Sequence, residues 1–209
     1  SVAVSEAFAQ APVDNNYIKV ITERSNKIVT GAGITDSVKF KKVRDIVVAQ
    51  YSDLNTIYDA RKAKVNDIKT QMPDDKAGAN AKIALVDSNV AKQVKVLHTL
   101  YINKLNKELS ADEVDKIKDG MTYRIYPITY TAYQDEIPTL TGEQKDKIKG
   151  WLLEARENAI DAESAEKKHA WFGKFKGRIN NYLSAQGYDM KKEGEELKPH
   201  AEAVLVLLS

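Results

Sequence analysis

Two apolar stripes with a period near 3.6 dominate the first half of this chain, and they leave few folds open. Between Thr35 and Gln71, the residues Phe40, Val43, Val47, Leu54, Ile57, Tyr58, Val65 and Ile68 recur at helical spacing. A second stripe runs from about Ala79 to Glu108 through Ile83, Val86, Val90, Val94, Leu97, Tyr101 and Leu105. Between them lies MPDDKAG, whose Pro73 and Gly78 break a helix. Two long helices joined by a short polar turn must fold back as an antiparallel hairpin. Val65 and Val86 then lie near the turn, with Phe40 and Leu105 at the open end.

Shorter helices are written on either side. Asp14 can cap a first helix reaching about Thr30, with Ile18, Ile21 and Ile28 inward and Gly31-Ala32-Gly33 as its end. These glycines are no dinucleotide fingerprint, which needs a preceding strand and a third glycine that opens a helix. Three helix starts set an apolar residue before a hydroxyl N-cap: Ile34-Thr35, Leu109-Ser110 and Leu140-Thr141. In the last two, Glu113 and Gln144 complete capping boxes. Leu-Thr-x-x-Gln also occurs in small periplasmic helical chaperones, although capping alone accounts for the phrase. Ser164 and Gly187 are the expected N-cap and C′ residue of a helix along the stretch 164–189. On it Phe172, Phe175, Ile179, Tyr182 and Leu183 form the apolar face. Gly173 and Gly177 share another side, and a steric reason for them predicts a tight helix crossing there.

The fold class expected is all-α, a long antiparallel helical hairpin packed with several shorter helices. Residues 13–200 read as a single domain. Residues 1–12 carry Ala7-Phe8-Ala9 and look like a signal-peptide remnant or a disordered terminus, so the expected location is periplasmic or extracellular. A short charged helix is expected over Met190–Lys198. The tail 201–209, AEAVLVLLS, is too short to span a membrane, and its status is open.

The 209 residues hold 32 basic and 30 acidic side chains and no cysteine. The near-cancelling charge does not call for nucleic acid, and the missing thiols exclude disulfides and cysteine nucleophiles. His98, His169 and His200 form no zinc spacing, and no nucleophile elbow or Walker loop occurs. Neither a cofactor, a metal nor a catalytic set is expected, and the chain reads as non-catalytic. His98 reads as a packed or capped side chain. Glu154, Glu157 and Asp161 could do acid/base work in a pocket, but Lys and Arg neighbours favour a solvated face.

The candidate ligand-binding residues lie in two stretches. In 121–140 (MTYRIYPITYTAYQDEIPTL), Tyr126, Tyr130 and Tyr133 fall on one helical stripe, with Tyr123 just upstream. Tyrosines suit a core edge with hydroxyls reaching water, or a surface that stacks on sugar rings. In the stretch 164–189, His169, with Lys168 and Trp171, opens a helix where backbone N–H groups can meet an anion or hydroxyl. Arg178, Asn180, Asn181 and Tyr188 follow.

The second half resembles a known family on the pieces Lys118–Tyr123 (KDGMTY), Thr129–Tyr133 (TYTAY), Ile137–Thr141 (IPTLT), Glu154–Glu157 (EARE), Lys168–Gly173 (KHAWFG) and Lys176–Tyr188 (KGRINNYLSAQGY). Together they cover about residues 109–190. It is a family of unknown function from Bacteroidetes, associated with sugar binding and export. The resemblance implies a helical, extracytoplasmic protein tied to glycan use, and it supplies no reaction and no site residues. The tail departs from the family's charged ending. Two readings follow: a glycan-associated binding protein, with carbohydrate as partner, or a helical protein-interaction or chaperone-like module, with protein as partner.

Overall fold

The computed structural model describes residues 14–190, and among them the chain is all helix. The elements in order are α1 (Asn15–Gly31), α2 (Ser37–Gln71), α3 (Lys76–Glu108), α4 (Ala111–Met121), α5 (Ile125–Glu136), α6 (Gly142–Ala159) and α7 (Ala165–Ala185). The expected signal remnant, the helix after Met190 and the apolar tail lie outside the described residues.

The hairpin forms as its stripes require. Asp75 ends the turn by accepting the Gly78 N–H at 2.8 Å, which starts α3. At 35 residues α2 is about 52 Å long, more than the rest of the bundle can cover. Only its first half is sandwiched, where Val43 and Val47 meet Tyr101 and Leu105 of α3. Towards the tip Val65 and Ala79 are buried, while Ile83, Val86, Val90 and Val94 are only half-covered. Leu85, Val96 and Leu100 of α3 are exposed.

Among the described residues two hydrophobic cores result. The first joins the base of the hairpin to α1 and α4, with Ile28, Val29, Val114, Ile117 and Met121. The second is built by α5, α6 and α7 from Tyr133, Ile148, Leu152, Phe172, Phe175, Ile179 and Leu183. Burying each large aliphatic or aromatic side chain contributes about 1.5–3 kcal/mol.

The helix ends follow local chemistry. Ser110–Glu113 and Thr141–Gln144 both close reciprocal capping boxes. Ser164 accepts the Lys167 N–H. At the far end of α7, Gly187 takes φ +96°, and the Tyr188 and Gly187 N–H groups return to Leu183 and Ser184 in a Schellman pattern. Gly33, at φ +78°, ends α1 in the same left-handed region. One cap differs from expectation. Asp36, not Thr35, caps α2, because its carboxylate reaches the Lys39 N–H at 2.7 Å.

The predicted tight crossing at Gly173 and Gly177 is corrected. Both face solvent, and a Cβ at either would meet nothing within 4 Å. Their spacing does place them on one face, but no helix covers it. The close approach is at Gly120 of α4, where a Cβ would stand 3.0 Å from Ile28 Cγ2 of α1.

Candidate functional site

The two cores meet along a seam, and the seam is polar. Arg156 of α6, 3% exposed, reaches back to α4, with Nη1 2.7 Å from Asp119 Oδ1 and Nη2 2.6 Å from Asp115 Oδ1. Beside it Glu157 accepts from Lys118 Nζ at 2.8 Å and lies 2.8 Å from His98 Nε2 on the hairpin. The other His98 nitrogen is 2.7 Å from Asp161 Oδ2, in the α6–α7 connection. Tyr58 donates to the Asp161 carbonyl oxygen. The expectation of a solvated carboxylate face therefore holds for Glu154 but not for Glu157 and Asp161, because His98 and Tyr58 reach across from the hairpin to these two residues.

These contacts set the charge states. The Asp161 carboxylate first, and the Glu157 carboxylate second, raise His98 to about 9 against the cost of burial. Burial pushes Glu157 up, but His98 and Lys118 outweigh it and bring it to about 2. For Asp161 burial wins over the pull of His98, and its carboxyl is raised. Among the described residues no group of three or more His, Asp or Glu is arranged to hold a metal ion.

At one end the seam opens into a cleft of about 500 Å³. Its walls are α1 (Tyr17, Arg24), α2 (Tyr51, Asn55, Tyr58, Asp59), Tyr123 and the start of α7 (Glu163, Ser164, Lys168). Lys168 is 5% exposed and donates from Nζ to the Met121 carbonyl oxygen at 2.8 Å. Its ammonium stands 5.1 Å from the Tyr51 ring centroid and 6.0 Å from that of Tyr123. Burial, followed by repulsion from Arg24, lowers Lys168 to about 8. The Arg24 guanidinium itself lies over the Tyr51 ring at 5.7 Å. Tyr58 is pushed up to about 12 by burial and Asp161, and burial raises Tyr51 further still.

Tyr123 enters this cleft from a strained backbone. Tyr123 and Arg124 take φ of 56° and 55°, the left-handed region that costs non-glycine residues about 1–2 kcal/mol each. Arg124 N–H to the Asp119 carbonyl, at 2.8 Å, and Ile125 N–H to the Thr122 carbonyl hold the turn. The Tyr123 ring lies parallel to His169, with centroids 5.3 Å apart.

The nine residues singled out from sequence are placed elsewhere. Tyr133 is fully buried, and its hydroxyl donates to Asn180 Oδ1 at 2.7 Å. That joins one residue from each stretch, inside the second core and not on a surface. Tyr126 and Tyr130 are half-buried and stack on each other, with Arg156 over the Tyr126 ring. Trp171 is half-buried against Phe175. Tyr188 donates towards Thr139 and Gln144. His169, Arg178 and Asn181 are exposed. None of the nine lines the cleft, although His169 touches it through Tyr123.

Of the residues lining this cleft, Arg24, Tyr17, Tyr51 and Tyr58 were not singled out from sequence as binding residues, and Lys168 only as a neighbour of His169 at the start of α7. Arg24 and Tyr17 lie on an ordinary amphipathic helix, and Tyr51 and Tyr58 on the hairpin. Lys168 had one local signal: it sits one turn inside a capped helix, on the side that carries Phe172 and Phe175, where an exposed lysine would not fall. The pieces that carry the family resemblance do converge here, through Lys118 and Glu157, Tyr123 and His169, and Lys168 and Met121.

No curated protein matches the chain. The sequence profile described as a protein of unknown function (DUF3826) matches residues 18–203. The match takes in the hairpin as well as the 109–190 stretch that carries the resemblance, and on it the chain belongs to the DUF3826 family.

Proposed function

We propose that this is a non-catalytic carbohydrate-binding protein and that the cleft between α1, α2 and the start of α7 is its sugar site. The observation that carries the reading is the meeting of Tyr17, Tyr51, Tyr58 and Tyr123 with Arg24, Asn55, Asp59 and Lys168 in one concavity. Aromatic faces pack against the C–H face of a pyranose, and convergent donors and acceptors satisfy its hydroxyls. The strained turn under Tyr123 supports a functional role, since such backbone persists where the surroundings over-determine it. Export, expected from the A-x-A pattern near residue 8, belongs to the same proposal. It is checked by fractionating cells that express the native gene.

A glycan array followed by calorimetric titration tests the site. Tyr123→Ala is expected to weaken binding at least tenfold, and Tyr130→Ala to leave it unchanged. An array without a hit, or the reverse order of the two variants, overturns the proposal.

The interaction-module reading has one observation in its favour, the exposed Val96 and Leu100 beside Lys92 and Lys95 on α3. It predicts that the protein suppresses aggregation of an unfolding client and that Leu100→Asp abolishes this effect.

A further inference from the structure

The cleft has a neighbour. On the other side of Tyr123 a second concavity of about 470 Å³ is lined by Lys27, Lys116, Asp119 and Arg124. Tyr123 lines both. Arg24 and Lys27, three apart on α1, project from one helix face, one into each concavity. Three residues along an α-helix rise about 4.5 Å, comparable to the length of one pyranose ring.

Cations outnumber free carboxylates in the pair of clefts. Glu163 is taken up by Lys167 and Asp119 by Arg156, both at under 3 Å, which leaves Asp59, held by the Asn55 amide, as the one lining carboxylate without a cation among the described residues. Among the described residues Arg24, Lys27 and Arg124 have no carboxylate partner. Lys168 spends one N–H on the Met121 carbonyl and is buried with Arg24 repelling it. A neutral sugar would leave these cations as they are. An anion seated between Arg24 and Lys168 would relieve their repulsion, and the guanidinium fork suits a carboxylate or sulfate oxygen pair.

We propose that the two clefts form one groove for an acidic oligosaccharide, with an anionic sugar residue in each and the Tyr123 ring beneath the linkage between them. The inference rests on the carbohydrate reading above and adds its charge and its length. The shared chemistry is an anionic substituent on a pyranose, which a uronic acid or a sulfated sugar can supply.

Calorimetric titration of the intact protein, at one fixed ionic strength, separates the cases. The probes are a galacturonate tetramer, the galacturonate monomer, a neutral galactose tetramer and a sulfated galactose tetramer. An acidic tetramer is expected to bind at least tenfold tighter than the neutral one and than the monomer. Whichever acidic tetramer binds identifies the substituent. The exposed changes Lys27→Gln and Arg124→Gln should each weaken the tetramer several-fold, as should Arg24→Gln from the other concavity. Repeating the titration at pH 8 in buffers of different ionisation enthalpy should show proton uptake, lost in Lys168→Met. Equal affinity for neutral and acidic tetramers overturns the inference and leaves the carbohydrate reading standing. So does a tetramer no tighter than the monomer. Failure of every sugar overturns both.

Discussion

His98 Nε2 of the long hairpin lies 2.8 Å from Glu157 Oε1 of α6, a contact between residues 59 apart that ties the first core to the second. Its other nitrogen meets Asp161, and Lys118 holds the far oxygen of Glu157. The junction of the two halves is thus ionic, and its strength depends on pH.

The sign follows from the charge states. His98 is raised from 6.5 to about 9, so its contribution is complete below pH 6.5 and is lost as pH rises through 9. Lys168 is lowered from 10.5 to about 8, so the cost of its burial is full below pH 8 and is relieved between 8 and 10.5. Between pH 6.5 and 8 only His98 acts. Unfolding free energy should fall by up to about 2 kcal/mol across that window, and His98→Gln should flatten the slope. Denaturant titrations at half-unit pH steps check this, and an unchanged slope in the variant would refute it.

Arg156 should behave as a buried charge that cannot be removed alone. Arg156→Met leaves Asp119 half-buried without its cation and is expected to cost about 3–5 kcal/mol. The double variant Arg156→Met/Asp119→Leu should recover most of the loss. A double-mutant cycle by urea denaturation measures the coupling. Additive losses would mean that the pair contributes nothing jointly.

Lys168 should show the opposite behaviour. Its burial is costly and is offset by one hydrogen bond to Met121 and by aromatic faces. Lys168→Met is expected to stabilise the protein by about 1 kcal/mol at pH 7 while removing the anion-dependent part of sugar binding. A denaturant midpoint that drops in this variant would show the lysine to be structural.

The glycines separate spacing from contact. Gly173→Ala and Gly177→Ala should each stabilise α7 by about 0.5–1 kcal/mol, because the new methyl meets open space. Gly120→Ala pushes into Ile28, itself 6% exposed, and is expected to destabilise by about 1–3 kcal/mol. Thermal melts of the three variants give the order directly, and a rise for Gly120→Ala would show that Ile28 can give way.

Several features of the site were partly legible. Tyr123 stands in a stretch that sequence singles out, and Lys168 opens one of the pieces that carry the resemblance. What hid their partnership is distance along the chain: Lys168 meets Met121 across 47 residues, and Tyr58 meets Asp161 across 103. Glu157 read as solvated because its helical neighbours are charged, and His98 lies 59 residues away on another helix.

Sequence by itself determined what local physics controls. The 3.6-residue period set the helices, Pro73 and Asp75 set the turn of the hairpin, and Ser110, Thr141, Ser164 and Gly187 set helix ends through bonds reaching only a few residues. Only the tertiary structure decided which helix faces are covered: solvent over Gly173 and Gly177, Ile28 over Gly120, the second core over Tyr133, and His98 of the hairpin against Glu157 and Asp161. A periodic stripe states that one face is apolar. It carries no information about which other helix, and which charges, will be packed against the rest.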